Sequence, residues 1–468
     1  YSSVQYFDQS GIIPSSGYQR GSFRFNLDQT ISNKISVHGD INLITDQENI
    51  ETPDLGWITL SPLAQPFNTD GKLNEYPLGP GSNSVNPLWN IANSKNQAKT
   101  NSYRLTLVGK YHILKNLTYT LNTSVSRLST DQGIYLNSQE SSGQLTNGSA
   151  SIIDTSESEY LIENILDYDF HIGEHNSFAV TAMQSSNQIL NMNTTTNGTD
   201  FATDLLGYNG LTGALNTTAS RTGYMRRLLS YMGRIRYSLY DKYLFDFAGR
   251  SDGSSVFAAG KKRGFFPSAA FAWKINQENF LKDVSSIDQL KLRISYGSVG
   301  NEAIAPYQTL GIIDAFPYVF GGSTATGFMP GSNLQNPNLT WETSTTFDAG
   351  LDFSFWNALL TGSIDYYDTH TTNLLVNVSL PGNTGYATTI TNGGESENYG
   401  IEALLTANII RNNKLNWSVT ATFASNGNKL LKTGLVNTDG SPKNDINDNR
   451  FVGHPINVLY ELKYDGLF

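Results

Sequence analysis

The chain has 468 residues, a net charge of −10, only 15% charged residues and no cysteine. That charge argues against nucleic acid as a partner, since phosphate binding needs clustered Lys and Arg; the missing thiols exclude disulfide-stapled folds, thiolate metal sites and Cys nucleophiles. Mean hydropathy is −0.32, and the sequence holds no apolar run of about 18 residues from which a membrane helix could be built.

What the chain carries instead is period-two alternation. Candidate strands run over 1–9, 20–31, 35–44, 102–113, 117–129, 159–171 and 177–189. They continue over 228–240, 243–252, 265–275, 289–299, 345–356, 359–371, 399–410 and 415–425, fifteen in all. In the clearest pair, Leu229, Tyr231, Ile235, Tyr237 and Leu239 alternate with Ser230, Arg234, Arg236 and Ser238, and Tyr243, Phe245 and Phe247 with Asp246 and Arg250. Such lengths exceed the usual strand of about five or six residues. They match the roughly nine to eleven that a tilted strand needs to cross a bilayer.

Short turns are expected at 32–34, 114–116, 173–176, 241–242, 357–358 and 411–414, with a longer connection at 276–288 that has room for a helical turn. Long segments rich in Asn, Gly, Ser, Thr and Pro lie at 47–101, 130–157, 190–223, 253–263, 300–343, 372–397 and 426–450. Short and long connections therefore alternate, and all the short turns fall on one side. The pattern predicts an all-β transmembrane antiparallel barrel, a multi-pass protein of the outer membrane with lipid around it. Fifteen is an odd count, whereas single-chain bacterial barrels are even. An exported protein also needs a leader, and the chain starts at Tyr1. The expectation is a mature but incomplete segment whose two end strands do not pair with each other.

Parity refines the registers, because cross-strand neighbours share a face. Leu27 and Ile31 against Ile35 and Val37, and Tyr103 to Tyr111 against Leu117 to Leu121, require odd-length turns. Tyr237 and Leu239 against Phe245 and Phe247 do too, so Tyr240 or Tyr243 must join Asp241 and Lys242 in that turn. Phe353 and Phe355 against Leu360 and Ile364 require an even turn around Asn357 and Ala358. With these registers Phe245, Phe247, Phe271, Trp273, Phe353 and Phe355 face lipid, and Tyr111, Tyr119, Tyr237, Tyr243, Trp356, Tyr366 and Trp417 read as interfacial girdles. The other face carries Arg234, Arg236, Asp246, Arg250, Lys274, Arg293, Asp348, Asp352 and Asp365. Charges of both signs do not suit a dry core; they suit a wet or plugged lumen.

The stretches "YLFDFAGRSDGSSVFAAGKKRGFFPSAAFAWKINQENFL" (243–281), "LKLRISYGSVGN" (290–301) and "LTWETSTTFDAGLDFSFWNALLTGSIDYYDTHTTNLLVNVSLPGNTGYATTITNGGESENYGIEALL" (339–405) resemble TonB-dependent outer-membrane receptors of the SusC/RagA type from Bacteroidota. So do "VQYFDQSGIIPSSGYQRGSFRFNLDQTIS" (4–32), "LNWSVTATFASNGNKLL" (415–431) and "GHPINVLYELKYDGLF" (453–468), whereas 47–101 and 130–223 match weakly. The resemblance implies a barrel of about 22 strands with an N-terminal plug, so the chain would be a partial barrel lacking plug and final strands. It implies energised import of a nutrient such as a glycan or peptide. The implied partners are a SusD-like surface lipoprotein and, through the plug, the TonB complex, with a dimer of receptor–lipoprotein pairs as a further implication. A passive channel of 14 or 16 strands and a non-transporting adhesin or structural barrel are the competing readings.

No enzyme and no cofactor are expected. Gly249 to Gly253 fits G-x-S-x-G by letter, but that elbow needs a following helix, and a Gly/Pro-broken stretch follows here. His171 and His175 straddle a turn and make no zinc site; Asn437 to Gly453 lacks the central Gly and closing Glu of an EF-hand and reads as a solvated loop. Trp57, Tyr76, Trp89, Tyr307, Phe316, Tyr318, Phe328 and Tyr386 are the candidate ligand or partner contacts on the long-loop side. The competing reading is that they bury within folded loops.

Overall fold

Period-two patterning becomes backbone pairing throughout the computed structural model, which describes all residues except 52–60, 80, 83, 282, 332, 462, 464, 465, 467 and 468. In chain order the strands are β1 (Ser2–Ser10), β2 (Gly17–Ser32), β3 (Ile35–Asn49), β4 (Ser94–Leu114), β5 (Leu117–Leu136), β6 (Ser149–Ile172) and β7 (Asn176–Phe201). Then come β8 (Ala214–Leu239), β9 (Tyr243–Ser254), β10 (Arg263–Lys274), β11 (Ile287–Asn301), β12 (Ile313–Phe320), β13 (Ser323–Pro330), β14 (Asn333–Leu334), β15 (Glu342–Phe355), β16 (Leu360–Ser379), β17 (Thr388–Arg411) and β18 (Asn416–Thr433). Each of the fifteen expected strands is present. One short helix, α1 (Pro87–Ala92), was not anticipated. It starts on Asn86, whose side chain accepts from Leu88 N–H while its amide donates to Pro66 and Asn74 carbonyls.

The main sheet runs β1 to β11 in sequence order and then β15, β16 and β17, with β18 pairing β17 and the two-residue β14 added in parallel. Among the described residues β1 pairs only with β2, and β18 only with β17, as expected for the two end strands. The chain divides into two compact units, Tyr1–Tyr111 with Thr120–Glu163 and Asn187–Met225, and His112–Tyr119 with Asn164–Ser186 and Arg226–Phe468.

In the first unit Phe23, Phe25 and Leu27 pair in register with Leu43, Ile41 and Gly39, and these with Tyr103, Leu105 and Leu107. Arg24, Asp28, His38 and Asp40 lie on the opposite face, where Arg24 meets Asp40 at 3.2 Å and His38 meets Asp28 at 2.7 Å. In the second unit Tyr237 pairs with Phe245 and Phe245 with Phe271, so β8 ends at Leu239 and Tyr240 enters the turn. One face of β8–β10 thus reads, rung by rung, Leu229, Gly253, Arg263; Tyr231, Ser251, Phe265; Gly233, Gly249, Pro267; Ile235, Phe247, Ala269; Tyr237, Phe245, Phe271; Leu239, Tyr243, Trp273. Tyr231, Ile235, Phe247 and Phe265 on it are exposed, and its remaining large apolar side chains are half-buried. Near the short turns the rings of Phe170, Phe178, Tyr237, Phe245 and Phe271 follow one another at 4.5–5.8 Å between centroids.

Several strands run far beyond their expected ends. β4, β6, β7, β8 and β17 have 21, 24, 26, 26 and 24 residues. Much of 130–157, 190–223 and 372–397, expected as loops, is therefore strand. In β7 and β8 the extensions are largely polar on both faces, so the pairing persists there without alternation to announce it.

At the opposite end the turn between β15 and β16 holds Trp356, Asn357 and Ala358 at φ of 56°, 57° and 58°, a conformation that costs L-residues energy at each position. Asp288 secures it, its carboxylate accepting N–H of Ala358 at 2.8 Å and Asn357 at 3.1 Å and the Ser354 hydroxyl at 3.2 Å. The Ala358 N–H is the chief cause of an Asp288 carboxyl held below its ordinary range. A depressed carboxyl contributes stability that is complete above its unfolded value and is lost as pH falls through the folded one. Asp288→Asn is therefore expected to be less stable than the parent at neutral pH, with the gap closing as pH falls below about 4. Urea unfolding in lipid vesicles across pH checks this; a gap that does not change with pH would sink it.

Candidate functional site

The charged face of the second unit is built by the same registers. Arg293 pairs with Gly350 on β15, and Gly350 with Asp365 on β16. The Arg293 guanidinium reaches Asp352 through two bonds of 2.9 Å and Asp365 through one of 2.6 Å. It crosses Gly350 to do so, and a Cβ there would lie 2.2 Å from Asp365 and 2.7 Å from Arg293. Glycine is the residue that lets the arginine bridge two strands. Arg234 grips Asp246 with its Nε and Nη2, and Arg250 holds Asp252 at 2.8 Å and the Ser230 hydroxyl at 3.1 Å. Arg236 and Asp348 share a concavity with Asp169, Asp246 and Arg293. Neither of the two makes an ion pair, nor does Lys274, among the described residues.

Beyond the long-loop ends of β9 and β11 the second unit closes into a dry cluster that sequence reasoning missed. Val256, Phe257, Phe266, Ile304, Leu339 and Trp341 are buried together. The Trp341 ring lies 5.4 Å from Phe257 and 5.6 Å from Phe266, and its N–H donates to Lys262 carbonyl at 3.0 Å. Next to it, buried Glu342 accepts from Asn301 and from the Leu375 N–H, both at 2.7 Å; the latter sits beside the irregularity in the β16–β17 pairing. In the first unit, Asp204 accepts from the Tyr135 hydroxyl at 2.7 Å and from the hydroxyl and N–H of Ser138 at 2.7 and 3.1 Å. Burial pushes this carboxyl up, but those donors more than offset it and hold it below its ordinary range.

The loop aromatics divide. Trp57 lies outside the described residues. Tyr76, Trp89 and Tyr386 are half-buried, and the Trp89 N–H donates to Gln139 carbonyl at 2.8 Å. Tyr307, Phe316, Tyr318 and Phe328 are exposed. The last three stand on strands, not loops: β12 and β13 form a separate hairpin turning at Gly321 and Gly322, both at positive φ. A Gly-Gly pair between two apolar runs is a hairpin signal legible in sequence. Phe320, at 76% exposed, and Phe328, at 74%, leave this hairpin largely bare.

The remaining motifs resolve simply. Ser251 sits within β9, paired with Tyr231 and Phe265, and a turn follows the strand where a nucleophile elbow needs a helix. Among the described residues no group of three His, Asp or Glu could hold a metal ion. In the 437–453 loop Asp439 is occupied by the Ser441 hydroxyl and N–H.

A family model described as the TonB dependent receptor-like β-barrel matches residues 45–466. The chain belongs to this family. TonB-dependent receptor barrels are outer-membrane receptors and transporters, and the chain is of the SusC/RagA type. It is 31% identical over 485 residues to TonB-dependent receptor P26 of Formosa agariphila, covering 100% of this chain and 48% of that relative. To TonB-dependent receptor SusC of Bacteroides thetaiotaomicron it is 40% identical over 228 residues, 47% of this chain and 22% of SusC. Among solved structures, the RagAB peptide transporter matches with a TM-score of 0.82 at 21% identity, covering 93% of this chain and 50% of that one; this likeness speaks for the fold. The chain spans about half the length of the curated relatives it matches along its whole length.

Proposed function

We propose that this TonB-dependent receptor barrel serves the energised import of a hydrophilic nutrient such as a glycan or a peptide. Arg234, Arg236, Asp246, Arg250, Lys274, Arg293, Asp348, Asp352 and Asp365 line its lumen. The observation that carries the reading is the division of the β8–β10 registers into an apolar face and an opposite face bearing charges of both signs. Likeness to SusC and to a peptide transporter supports import over a passive channel or an adhesin. A SusD-like surface lipoprotein docks on the long-loop ends, and receptor–lipoprotein pairs dimerise. The bare β12–β13 hairpin favours such a partner, because an isolated two-stranded hairpin is marginal in water and exposed apolar patches mark interaction sites.

Uptake of labelled oligosaccharides and oligopeptides by cells carrying the whole receptor is expected to stop when the inner-membrane potential is collapsed. Uptake that continues unchanged would favour a passive channel. Purification in mild detergent is expected to yield a stoichiometric lipoprotein, and a receptor that always elutes alone would remove the docked partner.

A further inference from the structure

We infer that Arg263, with Lys261 and Lys262, forms a binding site for the phosphate of an anionic outer-leaflet lipid. The inference rests on the outer-membrane reading and adds a ligand on the barrel's exterior. On the apolar face of β8–β10, Arg263 is the single charged residue among all the paired positions. It occupies the end rung on the long-loop side. Ten residues separate it from Trp273 on the same strand, about 33 Å at roughly 3.3 Å per residue. A strand tilt of about 40° turns that into a height of about 25 Å, the apolar band of a membrane barrel. Trp273 and Tyr243 mark the other edge, where their N–H and O–H donate to Glu278 at 3.0 and 2.6 Å. Arg263 therefore stands where lipid headgroups begin.

Its setting suits an anion. The guanidinium lies over the Tyr231 ring at 5.5 Å, a cation–π contact that holds it against the apolar band. Lys261 and Lys262 are exposed in the turn just before it, and no carboxylate pairs with any of the three among the described residues. The turn is held in place, because Lys262 carbonyl accepts both the Trp341 N–H and the Ser254 N–H at 3.0 Å. In a chain of net charge −10, Arg263 stands at one corner of an acid-free apolar face, with exposed Lys261 and Lys262 in the turn directly before it. Guanidinium binds phosphate through paired N–H donors, and lysines add point charges.

The test uses the whole receptor, reconstituted in bilayers of zwitterionic lipid with a minor fraction of phosphate-bearing anionic lipid, and native mass spectrometry of the lipid it retains. Arg263→Gln is expected to retain about fivefold less anionic lipid, the factor one basic residue near an anionic surface contributes. Arg263→Glu should lose more, and Lys261→Gln alone should lose up to a comparable amount. Equal retention by parent and variants overturns the site. Displacement of the lipid by millimolar inorganic phosphate would make it a free-phosphate site and overturn the lipid assignment. Failure of the parent itself to insert in bilayers would instead count against the membrane reading, and the lipid site would fall with it.

Discussion

Trp341→Ala is expected to unfold the long-loop end of the second unit while leaving the strands below paired. Trp341 is 6% exposed and its neighbour Leu339 0%, and they join Val256, Phe257 and Ile304 from other connections and Phe266 from β10 into one cluster. Removing a buried Trp side chain costs about 3–5 kcal/mol, and this one also strands the Lys262 carbonyl it bonds. Local elements open at less than the global stability, so the loss falls on the 253–263 and 300–343 segments. Limited proteolysis is expected to cut the variant there and spare the parent, with the strand content unchanged by circular dichroism. Leu339→Ala should act in the same direction by about 2–5 kcal/mol. Protease resistance equal to the parent's would show that the cluster does not hold these segments.

Arg293→Ala should be the most damaging change on the charged face. It leaves Asp352 and Asp365, each about a quarter exposed, without the cation that bridges them. Breaking a buried pair costs about 3–5 kcal/mol, and the partial exposure of this one reduces that to about 2 kcal/mol. Arg293→Lys should recover only part, since an ammonium cannot make the paired bonds to Asp352 while reaching Asp365. Gly350→Ala should reproduce much of the loss with all three charges intact, because its Cβ would stand in the arginine's path. Urea unfolding in vesicles measures all three variants. An Arg293→Ala variant as stable as the parent would mean the network is a solvated arrangement with no energetic role.

The sequence by itself determined fifteen of the strands, their order and the registers of several pairs. Leu229 to Leu239 and Tyr243 to Phe247 alternate because one face is apolar and the other polar, and a one-residue slip would exchange the faces. That rule required Tyr240 or Tyr243 to join the turn, and the pairing of Leu239 with Tyr243 and of Tyr237 with Phe245 makes it Tyr240. The polar continuations of β7 and β8 were hidden from the same reasoning. With both faces polar there is no period to read, and only the hydrogen-bonded neighbour keeps the backbone extended. Tertiary structure also decided what met at a distance. Arg293, Asp352 and Asp365 each looked like a charge on one face; that a single guanidinium spans three strands followed from Gly350 lying between them. Trp341 was one letter in "LTWE" until connections far apart in sequence folded over it. Alternation is a local property that a chain displays in its own order, whereas a buried cluster or a bridging arginine exists only after loops and strands are brought together.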